Sequence, residues 1–264
     1  MTLPRRLEAT FHEKIWGSTE LEPWFPRSQK KIGEVWFTGE TRLPVLVKFL
    51  FTADKLSVQV HPDGPDGKTE MWHILRAEPD AKIALGFREP ISRQRLIEAA
   101  RSGEIESLLQ WLPVKAGETY FTPAHTVHAI GGGIALCEIQ QNSDITYRLY
   151  DYGRARELHV EQAAAIADLG IHPGTVKPEM ISPGRELLVG CDYFETELLA
   201  LEKSAYAGYP ERDQFLIIIE GRGRIANLAY QAGEVWLIPP EADRFWLVPD
   251  APSRALRVLA PVRT

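Results

Sequence analysis

The side chains in this chain that could hold a metal are spread over several strand-like segments, and this limits the folds open to it more than any other feature. In Ser57-Val-Gln-Val-His-Pro-Asp-Gly, Gln59 and His61 stand two apart and so project from the same face of a strand. Asp63-Gly-Pro-Asp-Gly67 has the residues of a reversal, which would bring Glu70 back on the neighbouring strand. His128, in Pro123-Ala-His-Thr-Val-His-Ala-Ile-Gly, belongs to a third segment much further along. Gln59, His61, Glu70 and His128 can converge on one divalent metal inside a rolled-up antiparallel sheet. A zinc knuckle, whose ligands are local, does not have this spacing.

A chain of 264 residues has room for one large or two modest domains with a substantial core. With 44% hydrophobic and 25% charged residues it is of ordinary globular composition, neither disordered nor fibrous. No apolar run is long enough to span a bilayer, and Met1-Thr-Leu-Pro-Arg-Arg followed by Glu8 lacks the apolar core of a secretion signal, so a cytoplasmic location and no membrane partner are expected. Cys137 and Cys191 are too few for a disulfide framework. The net charge of -6 argues against nucleic acid as a partner. It leaves room for a small anion, because two or three local cations suffice to hold one phosphate ester.

Strand composition marks Ile32 to Phe37, Leu43 to Leu50, Met71 to Leu75 and Lys82 to Phe87. From Ser92 to Trp111 the period becomes helical, with Ser92 as N-cap and Gly103 as a break between two helices. Strands are expected again at Glu118 to Thr122, Ile134 to Gln140 and Ile145 to Tyr150, then a short helix from His159 to Leu169. Pro173, Gly174, Pro178, Pro183 and Gly184 have linker composition. Beyond them, Glu195 to Leu201, Gln214 to Glu220, Glu234 to Ile238 and Arg244 to Val248 read as strands of a second, smaller β unit. Gly117-Glu-Thr-Tyr-Phe-Thr-Pro and Gly233-Glu-Val-Trp-Leu-Ile-Pro share one form, which suggests two copies of one architecture.

The pattern Gly-x5-Pro-x4-His from Gly117 to His128, with the earlier Gln-x-His and Glu, resembles the two-part metal motif of the cupin superfamily. The resemblance implies a mainly β fold: two cupin-type antiparallel β-barrels (jelly rolls), with a small helical insertion near 92-111 in the first. Residues 1-185 would form the metal-binding unit and 186-264 a unit without metal, since no histidine follows His172. Glu13-Lys-Ile-Trp-Gly, Leu46-Val-Lys-Phe-Leu, Lys68-Thr-Glu-Met-Trp, Thr126-Val-His-Ala-Ile-Gly and Glu138 to Arg154 sharpen the resemblance to type I mannose-6-phosphate isomerases, in their short bacterial form. It covers most of residues 10 to 160. It implies interconversion of mannose 6-phosphate and fructose 6-phosphate, with one Zn2+ held by Gln59, His61, Glu70 and His128 and a hexose phosphate as the small-molecule partner.

That chemistry suits the residue types. Two imidazoles, an amide and one carboxylate leave a bound Zn2+ with residual positive charge, able to stabilise an enediolate. By resemblance Arg148 is the active-site arginine, and Lys68 is the second catalytic residue, with Lys68 or a metal-bound water moving the proton. Lys48, Ser57, Asp144, Arg154 and His125 are the expected substrate-binding residues, with Lys48 and one arginine on the phosphate. Each also has a structural reading: Lys48 can snorkel from a strand end, and Arg148 with Asp144 can be a plain surface pair. Cys137, His73 and Trp72 read as packing, and His12, His159 and His172 as ordinary surface or helix residues. His125 departs from the family pattern, which has glycine in Pro-Ala-Gly-Thr, and is expected at the mouth of the site. The chain is also shorter than the short bacterial members, so a smaller lid and another hexose phosphate as substrate are conceivable. Rival readings are a non-catalytic sugar-phosphate sensor and a cupin oxygenase using iron. A monomer is favoured.

Overall fold

The computed structural model describes residues 3–203, 212–242 and 245–261, and for 205–207 the backbone alone. Among these residues the chain is mainly β, and every pairing between its named strands is antiparallel. Four sheets stack in layers. A five-stranded ligand sheet runs in the order Tyr147–Tyr150, Val58–Val60, His128–Ile130, Lys82–Phe87 and Leu109–Pro113. Opposite it lies a six-stranded central sheet: Glu8–Ser18, Ile32–Thr38, Val45–Thr52, Ile134–Gln141, Glu70–Ala77 and Thr119–Thr122. Behind the central sheet comes a seven-stranded rear sheet, and a four-stranded outer sheet covers that.

The central sheet is covered on both faces, and its sequence reflects this. Every residue of Val45–Thr52 and of Ile134–Gln141 is buried, which is why these strands read as near-continuous apolar runs. Leu50, Trp72, Ile74 and Leu136 point to the ligand sheet, while Phe37, Phe49, Phe51 and Cys137 pack against Phe215, Ile217, Leu256 and Val258 of the rear sheet. Each such fully buried side chain contributes roughly 1.5–3 kcal/mol relative to exposure.

The helical insertion lies on the outer face of the ligand sheet. Ser92 caps Arg93–Ser102 by accepting from the Arg95 amide, and Gly103 ends it at φ 84°. Its apolar side packs Leu96, Ala99 and Ala100 beside Ala163 and Ala164 of the helix Val160–Ile166. Helix does not extend to Trp111, however: after Ile105–Leu108, residues Leu109–Pro113 form the edge strand of the ligand sheet, where pairing with Lys82–Phe87 outweighs local helical spacing.

The expected linker is likewise part ordered sheet. Glu179–Ser182 and Arg185–Gly190 form a hairpin at the edge of the rear sheet, turning at Pro183 and Gly184, where Gly184 has φ 76°. The expected division after residue 185 thus falls inside a hairpin. Arg5–Arg6, at the other end of the chain, pairs with Val235–Ile238 in the same rear sheet. Phe245–Pro249 matches the last expected strand apart from Arg244, which lies outside the described residues.

The two Gly-Glu segments make the same turn. Gly117 and Gly233 both have φ 90°, and each donates its amide over 2.8 Å, to Ile74 and Ile218 respectively. Glu118 accepts from Tyr120 Oη at 2.9 Å, and Glu234 from Trp236 Nε1 at 3.1 Å. The matching registers place Gln214 where the first unit has Glu70. They also set Glu197 against Arg257 where the first unit sets Lys48 against Glu138. The second unit therefore carries the same cross-strand ion pair with its charges exchanged.

Candidate metal and active site

The metal-ligand side chains meet between the ligand and central sheets. His128 stands opposite Gln59 on the neighbouring strand, and His61 follows that strand by one residue. Glu70 enters from the central sheet, on the first residue of its strand. One ligand atom each from His61, Glu70 and His128 lies within 4.8 Å of the others, and the Gln59 amide is 3.2 Å from His128 Nε2. The reversal between them is the one expected: Gly67 donates to the Gly64 carbonyl at 2.9 Å, and Lys68 to that of Pro62 at 3.0 Å.

The donor set fits a divalent cation. His61 Nδ1 donates to the Ile145 carbonyl at 2.8 Å and His128 Nδ1 to that of Thr126 at 2.9 Å, which leaves both Nε2 lone pairs for the cluster. Burial holds His128 down at about 4 and His61 well below the usual imidazole value, so both present neutral nitrogens. Glu70 is wholly buried, and its Oε1 has no hydrogen-bond partner. An orphaned carboxylate oxygen 3.4 Å from His128 Nε2 is what a cation site leaves in the protein. Burial pushes the Glu70 carboxyl up to about 8 against the pull of Lys68.

Beside the cluster, Lys68 Nζ lies 3.2 Å from His61 Nε2 and bonds to Glu70 Oε2. Glu138 follows, 3.7 Å from Lys68 and 3.1 Å from Lys48. Burial alone would raise the Glu138 carboxyl, but the Lys68 and Lys48 ammoniums outweigh it and hold the group at about 2. Lys48 does not snorkel: it is buried and sits 4.6 Å over the Trp36 ring. Two acids and two lysines thus alternate along the interior from Glu70 to Lys48.

Lys68, Glu138 and Lys48 of this ladder form one side of a cavity of about 400 Å3, whereas Glu70, His61 and His128 lie behind its lining. Of the expected site residues, Lys48, Ser57, Gln59, Lys68, Asp144 and Arg148 line it. Arg154 does not: it is bound to Asp54 at 2.6 Å, to Asp151 and to the Lys55 carbonyl, and braces a loop. His125 is also absent from the lining. Its φ of 73° shows why glycine suits this position. The walls further include Glu138, Glu34, Trp36, Arg156, His12 and His159, none of which sequence reasoning placed in the site. Trp72 packs as expected, yet its ring edge meets His128 and its Nε1 donates to Glu138 at 3.2 Å.

Arg148 stands apart from the other cations. It is the register partner of Gln59, its Nε donates to Ser57 Oγ at 3.3 Å, and its Nη1 to the Glu157 carbonyl at 2.9 Å. Among the described residues no carboxylate lies within 4.0 Å of it. It is therefore not a plain surface pair with Asp144. A partly buried guanidinium held only by neutral oxygens faces a cavity in which an anion would be its counter-charge.

No family model matches the chain. Among characterised proteins it is 32% identical to mannose-6-phosphate isomerase ManA of Bacillus subtilis (strain 168), over 93% of this chain and 96% of that protein. It is 31% identical to the mannose-6-phosphate isomerase of Streptococcus mutans, over 93% and 95%. A crystal structure of the mannose 6-phosphate isomerase from Bacillus subtilis superimposes with a TM-score of 0.86, at 25% identity and over 97% of this chain and 99% of that one. A zinc-bound mannose 6-phosphate isomerase shares the fold, with a TM-score of 0.79 at 17% identity. Identity of 30–32% over 93% of this chain, with one fold in common with a solved relative, shows that the chain belongs to the mannose-6-phosphate isomerase family.

Proposed function

We propose that the chain interconverts mannose 6-phosphate and fructose 6-phosphate, using one Zn2+ held by His61, Glu70, His128 and Gln59. The orphaned Glu70 oxygen carries this reading, because it lies buried 3.4 Å from the neutral His128 Nε2, in a cluster with His61 that could hold one cation. When bound, the metal supplies a Lewis acid for the sugar's hydroxyl and carbonyl oxygens. Lys68 holds or moves the proton at the carbons beside it, since its ammonium already lies between Glu70 and Glu138. Arg148 supplies positive charge where the enediolate or the phosphoryl group needs it. Ser57 orients Arg148, Lys48 fixes Glu138 next to Lys68, and Asp144 offers an acceptor to sugar hydroxyls. Arg154 and His125 act on the site only through the loops they hold.

Among the described residues no helix is long and apolar enough to cross a membrane. The reading includes action as a cytoplasmic monomer, with residues 1-185 as the metal-bearing unit backed by 186-264. The test is a coupled assay of mannose 6-phosphate conversion by zinc-loaded and chelator-stripped protein. Turnover lost on stripping and restored by zinc supports isomerisation. Binding of mannose 6-phosphate with no turnover in the zinc-loaded sample replaces it with a sugar-phosphate sensor.

A further inference from the structure

We propose that Arg156 and His159, with Arg148, form the clamp for the substrate's phosphoryl dianion; this rests on the functional reading above. All three side chains line the cavity and hang on one short segment, so the clamp exists before substrate arrives. Arg148 and His159 are locked together through their backbones: the His159 amide donates to the Arg148 carbonyl at 2.7 Å. In return His159 Nδ1 accepts from the Arg148 amide at 3.2 Å. That bond places the imidazole proton on Nε2, so His159 enters the cavity wall as a fixed N–H donor.

Arg156 spends Nε and Nη2 on Asp151, both at 2.6 Å, and keeps its other N–H groups. Its charge falls on Arg148, whose pKa burial and then Arg156 both depress. Two guanidiniums that disfavour one another in the free protein, one of them without a carboxylate, gain most from a ligand with two negative charges. The nearby acids do not already supply them. Asp151 is engaged by Arg154 and Arg156, Asp144 is in no ion pair among the described residues, and the Glu157 carboxylate, 3.9 Å from His159 Nε2, is 83% exposed.

Spacing supports the assignment. Arg148, Gln59 and His128 are register partners across three adjacent strands. At about 4.8 Å per strand, Arg148 stands one strand from Gln59 and two strands, roughly 10 Å, from His128, which leaves room for a six-carbon chain between the clamp and the histidine side of the cluster. Nothing in the sequence singles out Arg156 over Arg154, which lies two residues away and points out of the cavity.

The test compares zinc-loaded wild type with His159→Gln, Arg156→Gln and Arg156→Lys. The readouts are mannose 6-phosphate kinetics, inhibition by inorganic phosphate and zinc content. Loss of one hydrogen bond to a dianion should raise KM about tenfold or more and weaken phosphate inhibition in parallel. Both kcat and zinc content should stay near wild type, and Arg156→Lys should recover part of the loss. His159→Gln leaves Asp151 paired and so tests the clamp even if Arg156→Gln misfolds. A KM and phosphate affinity within twofold of wild type in folded His159→Gln and Arg156→Lys would overturn the proposal. If wild type does not turn over mannose 6-phosphate, the isomerase reading fails separately. Calorimetric titration of the same variants with inorganic phosphate then still decides the clamp: weakened binding supports it, and unchanged binding overturns it.

Discussion

Replacing Glu138 by Gln should be more damaging to stability than replacing Lys48, and the two losses should not add. The two residues face each other across adjacent strands of the central sheet, 3.1 Å apart, with side chains only 4–5% exposed. Removing one partner of such a pair leaves an uncompensated charge in the interior, which costs about 3–5 kcal/mol. Lys68 at 3.7 Å is a second cation that Glu138 offsets, which puts Glu138→Gln toward the upper end of that range. At about 2–4 °C per kcal/mol for a chain of this size, the melting temperature should fall by roughly 6–20 °C. Lys48→Met should be milder, because Glu138 keeps Lys68 and the Trp72 indole as partners. In Lys48→Met with Glu138→Gln, the second change removes a carboxylate that has already lost its lysine. The double variant should therefore be more stable than the sum of the singles implies, by at least about 1 kcal/mol. Melting curves on chelator-stripped protein measure the cycle without the contribution of metal. If the two losses simply add, Lys48 and Glu138 are not energetically coupled and the buried ladder is not the unit described here.

Two further outcomes follow from particular groups. His73 faces away from the metal cluster, bonded to Thr119 Oγ1 at 2.9 Å, and burial holds it at about 4 against an ordinary 6.5. The folded protein then binds fewer protons than the unfolded chain between those values. Its contribution is complete above pH 6.5 and is lost as pH falls toward 4, by at most about 3 kcal/mol. His73→Gln should flatten that part of the stability profile relative to wild type when both are metal-stripped, and an unchanged slope would refute the assignment. Gly117→Ala and Gly233→Ala both force a Cβ onto φ 90°, costing about 1 kcal/mol each. At Gly233 the new atom would also meet the Trp24 carbonyl oxygen at 2.4 Å, whereas at Gly117 it has open space. Chemical denaturation should therefore show the larger loss for Gly233→Ala, and equal losses would count against the turn geometry.

Local features were legible because their physics is local. The alternation that puts Gln59 and His61 on one face, the Asp63 to Gly67 reversal, and the caps at Ser92 and Gly103 each depend on a few neighbouring residues. The paired Gly117 and Gly233 segments belong with them, since a left-handed glycine followed by a glutamate that ties the turn is a short-range device. Glu138 was hidden for the opposite reason. In Ile134–Gln141 it reads as one acid on an apolar strand, and only the register that sets it beside Lys48 and near Lys68 makes it part of the site. His12 and His159 carry no local mark at all.

The sequence by itself determined the β character of the chain, its turns and helix caps, and three buried side chains, His61, Glu70 and His128, that could hold one metal. Only the tertiary structure decided that Leu109–Pro113 is a strand, that Arg5–Arg6 joins a sheet made largely by the chain's last third, and that Arg148 and Arg156 face the cavity while Arg154 does not. Strand pairing joins residues far apart in the chain, and its register is set by burial summed over whole sheets. A period of two tells which residues share a face, but not which distant strand that face will meet.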